Sequence, residues 1–243
     1  MDRHGRVALV TGGAKRLGRA ISLALAGAGA TLMIHYNSSA DEARATLDDV
    51  RQLGVEADLV KGSLHEVATA EAIIDQTVER WGRLDVLICN AGIWGDTPLG
   101  TVTPERWDEL HSLNVRTPFF MAQRAAPHLR AAGGSVVAIA DVGIWQSWKH
   151  YTPYLASKAA LAMVVQNLAN DLAPEVRVNA VAPGPVLLPD DWNDEQTRKA
   201  ANSTLLKRVG TADDVASAVL FLATADYITG VVLPVDGGQR LKP

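Results

Sequence analysis

The chain has 243 residues, of which 48% are hydrophobic and 21% charged, and its formal net charge is −4. This length and apolar content suffice for one sizeable core, and the scattered basic residues predict neither a nucleic acid nor a membrane as partner. A single cysteine, Cys89, excludes an intramolecular disulfide, and the histidines show no metal-binding pair, so no metal is expected. The first apolar run, Val7–Val10, is too short for a signal segment or a membrane span, so a cytoplasmic protein is expected.

Short apolar segments alternate with amphipathic ones along the whole chain. The apolar segments lack period-two alternation, which is typical of strands buried on both faces of a parallel sheet. They predict strands at residues 7–10, 31–35, 55–60, 84–89, 135–140, 177–182 and 231–235. Apolar spacing of three and four predicts helices at residues 17–28, 42–53, 67–81, 103–130, 152–172 and 211–223. The alternation predicts the α/β class: one doubly wound Rossmann domain over residues 1–243, with a mostly parallel seven-stranded sheet and helices on both faces.

One stretch, residues 183–201, has no clear periodicity. It holds several prolines and then an acidic run, Asp190, Asp191, Asp194 and Glu195. It follows a strand end, where ligands bind in doubly wound sheets, so it predicts a substrate flap at about residues 185–207. An ordinary solvated insertion is the alternative.

A glycine-rich turn follows the first predicted strand. Glycines there let the backbone approach a phosphate, and the N-terminus of the following helix offers N–H donors and positive potential. The residues predicted to bind a cofactor in this turn are Thr11, Gly12, Lys15, Arg16, Leu17 and Gly18. A tight turn that binds nothing is the alternative interpretation.

The end of the second predicted strand bears on the choice of nicotinamide cofactor. An acidic residue there would hold the 2′-hydroxyl of NAD and repel the 2′-phosphate of NADP. The chain instead places Tyr36, Asn37, Ser38 and Ser39 there, with no acid before Asp41. These side chains and nearby Lys15 favour NADP(H).

Tyr154 and Lys158 stand four residues apart in a predicted helix, so they share one face. A neighbouring ammonium stabilises a phenolate, so Lys158 is expected to lower the pKa of Tyr154 toward working pH. That arrangement suits proton delivery to a substrate that receives hydride. Asp141, thirteen residues before Tyr154, would oppose this shift if it lay nearby.

Taken together, these residues resemble the short-chain dehydrogenase/reductase family over nearly the whole chain. The turn at Gly12 and Gly18 matches its cofactor loop, and Tyr154 with Lys158 matches its catalytic pair. Further matches are Asn90-Ala91-Gly92 after the fourth strand, Asn114, Pro183-Gly184 and Asp236-Gly237-Gly238.

Within that family the chain most resembles pteridine reductases and dihydromonapterin reductases. The pair Lys15-Arg16 replaces the usual middle glycine of the cofactor loop, and the segment from His35 to Ala40 is similar to theirs. Asp141 stands where most of the family has a catalytic serine, as it does in pteridine reductases.

The resemblance implies a role for each matching residue. Tyr154 would act as proton donor with Asp141, Lys158 would also bind the nicotinamide ribose, and Asn114 would hold a water in the proton path. Further cofactor contacts are implied for Ser63, Leu64, Asn90, Ala91, Gly92, Pro183, Gly184 and Val186. The substrate-binding residues would be Arg16, Trp94, Asp141, Tyr154, Leu187, Leu188 and Trp192.

The predicted reaction is the NADPH-dependent reduction of a dihydropterin to a tetrahydropterin. Two alternatives stay open: a short-chain reductase of another carbonyl compound, such as a 3-oxoacyl thioester, and a non-catalytic NADP-binding regulator. Trp94 could also merely pack a loop, and Asp141 could mark a relative with little activity. The resemblance also implies a homotetramer that forms through the long helices.

Overall fold

The computed structural model describes residues 5–189 and 192–242. Its strands form one seven-stranded sheet in the order β3-β2-β1-β4-β5-β6-β7, and every pairing is parallel. The strands are β1 (Val7–Val10), β2 (Thr31–Tyr36), β3 (Ala57–Lys61), β4 (Val86–Cys89), β5 (Ser135–Ile139), β6 (Arg177–Pro183) and β7 (Val232–Val235). The predicted fold class is confirmed, and the sheet is wholly rather than mostly parallel.

Helices cover both faces of the sheet. They are α1 (Arg16–Gly27), α2 (Ala40–Gln52), α3 (Val67–Trp81), α4 (Pro104–His111), α5 (Thr117–Ala132), α6 (Thr152–Asp171), α7 (Asp194–Ser203) and α8 (Ala212–Thr224). One core lies between the sheet and α1, α2 and α8, where Ile21, Leu47 and Val219 are buried. The other lies under α3, α5 and α6 and buries Ile73 and Leu161. Strands with an apolar face toward each core explain the continuous apolar runs of the sequence.

Side chains at the helix ends fix several boundaries. Thr103 Oγ1 accepts a hydrogen bond from the Arg106 amide, and Pro104 occupies the first turn of α4, where a missing N–H costs nothing. Thr211 and Asp214 form a reciprocal capping box at the start of α8. Gly54, with φ at +84°, follows the end of α2 in the left-handed region that suits glycine.

The predicted helix at residues 103–130 is not continuous. A turn of π-helix, Ser112–Arg116, separates α4 from α5. Pro118 has no N–H for the carbonyl of Asn114 four residues earlier, and its ring crowds that carbonyl. The break therefore falls where the regular hydrogen-bond ladder cannot run.

The predicted flap is also not irregular throughout. Its second half is α7, which begins at a capping box formed by Asn193 and Gln196, an asparagine and a glutamine three residues apart. Asp190 and Asp191, which belong to the predicted acidic run, lie outside the described residues. No helix in the described part of the chain is long and apolar enough to cross a membrane.

Strand order reverses at β1, since β2 lies on one side of it and β4 on the other. The loops after neighbouring parallel strands then diverge and leave a crevice at the carboxyl edge of the sheet. The glycine-rich turn after β1, the segment after β4 and the flap after β6 all emerge at that edge.

Candidate active site

Two adjoining clefts open at the carboxyl edge of the sheet. The smaller is a groove of about 430 Å³, and the larger is a cleft of about 910 Å³. Predicted cofactor residues on the groove wall are Gly12, Lys15, Arg16, Leu17, Gly18, Tyr36, Asn37, Ser38, Ser39, Leu64, Asn90, Ala91 and Gly92. Predicted residues on the wall of the larger cleft are Arg16, Trp94, Asp141, Tyr154, Lys158, Pro183, Gly184, Val186, Leu187, Leu188 and Trp192.

The glycine-rich turn leaves no room for side chains at its critical positions. A Cβ atom on Gly18 would lie 1.9 Å from the Gly12 carbonyl oxygen, and Gly12 itself has φ at +59°. The turn opens directly into α1, and the N-terminus of that helix lies on the groove wall. The Gly12 and Gly13 amides donate to Nδ1 and to the carbonyl of His35, which fixes the shape of the turn. This cradle fits the phosphates of a dinucleotide cofactor.

Thr11 lies beneath the turn and does not line the groove. Its hydroxyl donates to the Ile88 carbonyl and accepts from the amides of Asn90 and Ala91, and the residue is 2% exposed. Asn90 Nδ2 in turn donates to the carbonyls of Thr11 and Gly12. These bonds tie the cofactor turn to the end of β4. Ser63 also lies off the groove wall, whereas its neighbour Leu64 is on it.

His35 is a part of the site that sequence reasoning did not identify. Its Nδ1 accepts from the Gly12 amide at 3.0 Å, and its Nε2 donates to the Gly62 carbonyl at 3.0 Å. The ring is therefore neutral, and burial lowers the pKa of His35 below its ordinary value of 6.5. The imidazole joins the cofactor turn to the end of β3. Its only signal in the sequence was its position just before Tyr36.

Tyr154 and Asp141 form the centre of the larger cleft. Tyr154 Oη donates to Asp141 Oδ2 at 2.7 Å, and Asp141 Oδ1 accepts from the Gly143 amide at 2.7 Å. Gly143 makes room for this contact, since a Cβ there would lie 3.0 Å from Asp141 Oδ1 and 2.4 Å from Leu155 Cδ2. The carboxyl group thus occupies a fixed position beside the phenol.

The pKa of Tyr154 shifts upward, opposite to the sequence prediction. Burial is the largest cause, and the carboxylate of Asp141 adds to it, so the pKa of Tyr154 stands well above its ordinary value of 10. Burial also raises the pKa of Asp141, although hydrogen bonds from Tyr154 and Gly143 oppose the shift. The pair therefore retains the phenolic proton across the neutral range.

Lys158 lies on the same face of α6 as Tyr154, and its Nζ is 6.0 Å from the centre of the Tyr154 ring. The ammonium donates to the Ile139 carbonyl at 2.7 Å and is 6% exposed. Burial lowers the pKa of Lys158 to about 8, although the charge of Asp141 opposes that shift. The expected depression of the Tyr154 pKa is absent, since burial and the carboxylate of Asp141 both raise that pKa.

The side chain of Asn114 makes three hydrogen bonds to protein groups. Its Oδ1 accepts from the Ile93 amide at 3.0 Å, and its Nδ2 donates to the Ile93 carbonyl and to Ser157 Oγ. Asn114 therefore fastens the segment after β4 to α6. Both Nδ2 hydrogens are donated to protein acceptors, so a water held by this side chain, as the resemblance implies, would have to donate to Oδ1.

Aromatic side chains form one wall of the larger cleft. Trp94 stacks on Tyr151 with ring centres 5.9 Å apart and an angle of 10° between the planes, and Trp148 meets Tyr151 edge-on. The amide and hydroxyl of Thr97 both donate to the His150 carbonyl, which joins the two loops that carry these rings. Tyr151 and Trp148 were not predicted. Trp94 both packs against a neighbour and lines the cleft, with 55% of its surface exposed.

The flap forms the opposite wall. Arg16 Nη2 donates to the Leu187 carbonyl, so the cofactor turn and the flap are joined across the cleft. Helix α7 also contributes residues that the sequence did not single out: Gln196, Lys199, Ala200 and Ser203. Gln239, from the C-terminal segment, completes the wall.

A doubly wound parallel sheet, a glycine-lined phosphate cradle and a buried Tyr–Lys pair at one crevice define a nicotinamide-dependent oxidoreductase. A family model described as enoyl-(acyl carrier protein) reductase matches residues 12–240. The chain belongs to the short-chain dehydrogenase/reductase family, whose members use NAD(P)(H). Among the residues that the structure describes, no group of acidic, histidine or cysteine side chains could hold a metal.

Several curated relatives match nearly end to end. A putative ketoacyl reductase of granaticin polyketide synthase from Streptomyces violaceoruber is 37% identical, covering 97% of this chain and 96% of the relative. Versicolorin reductase from Emericella nidulans is 34% identical, covering 96% and 95%. A 3-oxoacyl-[acyl-carrier-protein] reductase from Staphylococcus aureus is 32% identical, covering 96% and 98%.

Proposed function

We propose that this protein is an NADPH-dependent reductase that converts a dihydropterin into a tetrahydropterin. The observation that carries the proposal is the hydrogen bond from Tyr154 to Asp141. A reductase of simple ketones uses its tyrosine proton to stabilise the developing alkoxide. Here the proton points at a carboxylate, and a second negative charge beside an alkoxide would be unfavourable.

A pterin ring suits this carboxyl group better than a ketone does. The ring carries N–H groups that donate to a carboxylate and ring nitrogens that accept from a carboxylic acid. Because burial raises the pKa of Asp141, its neutral form is more accessible than that of an exposed aspartate. Asp141 can therefore meet the substrate in either form.

Two features of the cleft wall support the same class of substrate. Trp94 and Tyr151 offer a flat aromatic surface, and stacking on such a surface contributes about 0.5–1.5 kcal/mol beyond area burial. Gln239 Oε1 is buried without a hydrogen-bond partner in the described part of the chain. A buried acceptor of this kind favours a ligand with N–H donors.

In the proposed reaction, Tyr154, Asp141 and Lys158 handle the proton that accompanies hydride transfer. When bound, the reduced nicotinamide supplies a hydride to the carbon of a C=N bond, and the ring nitrogen then takes one proton. Tyr154 holds that proton next to Asp141, and Asp141 can pass on a replacement from solvent. Lys158 lies close enough to Tyr154 to stabilise the phenolate that remains after transfer.

The test measures NADPH oxidation with dihydrobiopterin, dihydromonapterin and an acetoacetyl thioester as substrates. The proposal expects turnover of the pterins and a loss of about 10²–10⁴-fold in Tyr154→Phe. An unchanged rate in Tyr154→Phe would show that Tyr154 is not the proton donor. Turnover of the thioester alone would contradict the pterin assignment.

Reduction of a 3-oxoacyl thioester is the second candidate function. The names of the Streptomyces violaceoruber and Staphylococcus aureus relatives favour it. Substitution of Asp141 distinguishes the two candidate functions. The variant Asp141→Ser should reduce a ketone faster and a pterin more slowly than the unaltered chain does. The same assay with this variant therefore discriminates between them.

We also propose that the chain forms a homotetramer through α5 and α6. In support, Met163 on α6 is 56% exposed, and Trp107 on neighbouring α4 is 40% exposed. Light scattering after gel filtration should give four times the chain mass, and Met163→Glu should reduce it. A monomer mass for the unaltered chain would refute this assembly.

A further inference from the structure

Helix α7 forms a wall of the cleft but adds nothing to the hydrophobic core. None of its residues is buried. Asn193 and Gln196 cap its start, and directly after it the buried Thr204 and the Leu205 and Leu206 amides, which donate to the Gly237 carbonyl, join the chain to the C-terminal segment. Because α7 buries no residue in the core, its contribution to the described structure is the cleft wall.

One face of α7 meets the cleft. Gln196, Lys199, Ala200 and Ser203 line it, and their spacing of three, four and seven residues places them on a single stripe. At a rise of about 1.5 Å per residue this stripe is about 10 Å long. The acidic residues of the first turn, Asp194 and Glu195, are not part of the cleft wall.

Among the described residues that line this cleft, cations outnumber acids. Its described lining residues include three cations, Arg16, Lys158 and Lys199, and one acid, Asp141, whereas the chain carries a net charge of −4. Arg16 is bonded to the flap and Lys158 to the Ile139 carbonyl. Lys199 forms no ion pair or hydrogen bond within residues 5–189 and 192–242, and it is exposed at the cleft.

The cleft would hold the nicotinamide end of the cofactor together with the substrate, and it is large enough for both. Its volume of about 910 Å³ lies near the top of the range of about 300–1,000 Å³ that small-molecule sites occupy. With a pterin against Trp94 and Asp141, room remains along α7 for the ring's side chain. A positive, concave wall attracts a negative group at the end of such a side chain.

We propose that Lys199 selects substrates whose side chain ends in an anion, either a carboxylate or a phosphate. The assignment rests on the proposed pterin reductase function and adds the chemistry of the substrate's tail. Gln196 flanks Lys199 on the same stripe, and its Nε2 can donate a further hydrogen bond to the anion. Ser203 lies on the same stripe, but its hydroxyl already donates to the Ala200 carbonyl.

The experiment compares kcat/KM for three dihydropterins with different tails. Dihydrobiopterin has a neutral tail, dihydrofolate carries carboxylates, and dihydroneopterin phosphate carries a phosphate. In Lys199→Gln the kcat/KM for an anionic substrate relative to that for the neutral one should fall about three- to fivefold, as expected for an exposed charge pair. The fall should come from a higher KM for the anionic substrate. Lys199→Arg should retain the ratio, and added salt should lower it in the unaltered enzyme but not in Lys199→Gln.

Arg198→Gln is the matched control, since Arg198 is the adjacent cation on α7 and does not line the cleft. A fall in the ratio for the phosphate alone, or for the carboxylates alone, supports the assignment and identifies the anion. An unchanged ratio in Lys199→Gln, or an equal fall in Arg198→Gln, overturns it. If no pterin is reduced at all, the proposed function fails and this assignment with it, a result distinct from an unchanged ratio.

Discussion

Tyr154 donates its phenolic hydrogen to Asp141 across 2.7 Å, inside a site where both side chains are shielded from water. The pair therefore binds and releases protons as a unit. In the proposed reaction this pair would couple proton delivery to substrate choice, because the carboxyl group that accepts the Tyr154 hydrogen bond also lines the cleft.

Replacing Asp141 by Asn should move the alkaline limb of the kcat profile to lower pH. Asp141 raises the pKa of Tyr154, so removing its charge lets the phenol ionise at lower pH and lose its proton earlier. Pterin turnover should fall by about 10²-fold or more. Asp171→Asn, an exposed change at the end of α6, is the control and should leave the profile unchanged. An alkaline limb of the kcat profile at the same pH in Asp141→Asn as in the unaltered chain would show that Asp141 does not raise the pKa of Tyr154.

Lys158→Met should stabilise the chain without cofactor while abolishing most of its activity. The folded pKa of Lys158, about 8, lies below its ordinary value of 10.5, so burying the ammonium costs free energy at neutral pH. That cost is complete below about pH 8 and disappears as the pH rises toward 10.5. The free energy of unfolding at neutral pH should therefore rise by about 1–3 kcal/mol in the variant.

Urea denaturation of both proteins at neutral and at alkaline pH measures this difference. The difference in the free energy of unfolding between Lys158→Met and the unaltered chain should become smaller as the pH rises. A difference that becomes larger in alkaline solution would contradict burial of a charged Lys158.

Stability should also fall in mildly acidic solution because of His35. Its folded pKa is lowered, so as the pH falls below 6.5 the unfolded chain takes up a proton that the folded chain resists. Protonated Nδ1 could no longer accept from the Gly12 amide. Urea denaturation should therefore show a lower free energy of unfolding in mild acid than at neutral pH.

His35→Leu should lose that part of the pH dependence and bind cofactor more weakly, since the Gly12 amide then lacks its partner. The half-buried His111, which bonds the Trp107 carbonyl of its own helix, provides the control substitution, His111→Leu. If the two variants show the same pH dependence of unfolding, His35 is not the source.

If the chain prefers NADPH, as proposed, Lys15 should contribute to that preference. It is exposed on the groove wall beside Asn37 and Ser38, where a 2′-phosphate would lie. In Lys15→Gln the Kd for NADPH should rise about three- to fivefold while that for NADH changes little. Fluorescence titration of both cofactors gives the two constants, and Lys61→Gln, outside the groove, is the control. Tighter binding of NADH by the unaltered chain would refute the NADP assignment.

Much of the architecture was readable from the sequence, because it follows from local patterns. Continuous apolar runs identified all seven strands to within about two residues, since a strand buried on both faces needs no polar side. Gly12 and Gly18 identified the phosphate cradle because close backbone approach excludes side chains there. The spacing of Tyr154 and Lys158 placed them on one helical face.

Only the tertiary structure decided how those residues behave together. The pKa of Tyr154 depends on its burial and on the nearby carboxylate of Asp141. The local sequence pattern predicts neither the burial of Tyr154 nor its distance from Asp141. His35 joins Gly12 and Gly62, and Asn114 holds Ile93 and Ser157, through contacts between segments far apart in the chain. Sequence periodicity determines which elements form, whereas desolvation and long-range hydrogen bonds determine the chemistry of the site they enclose.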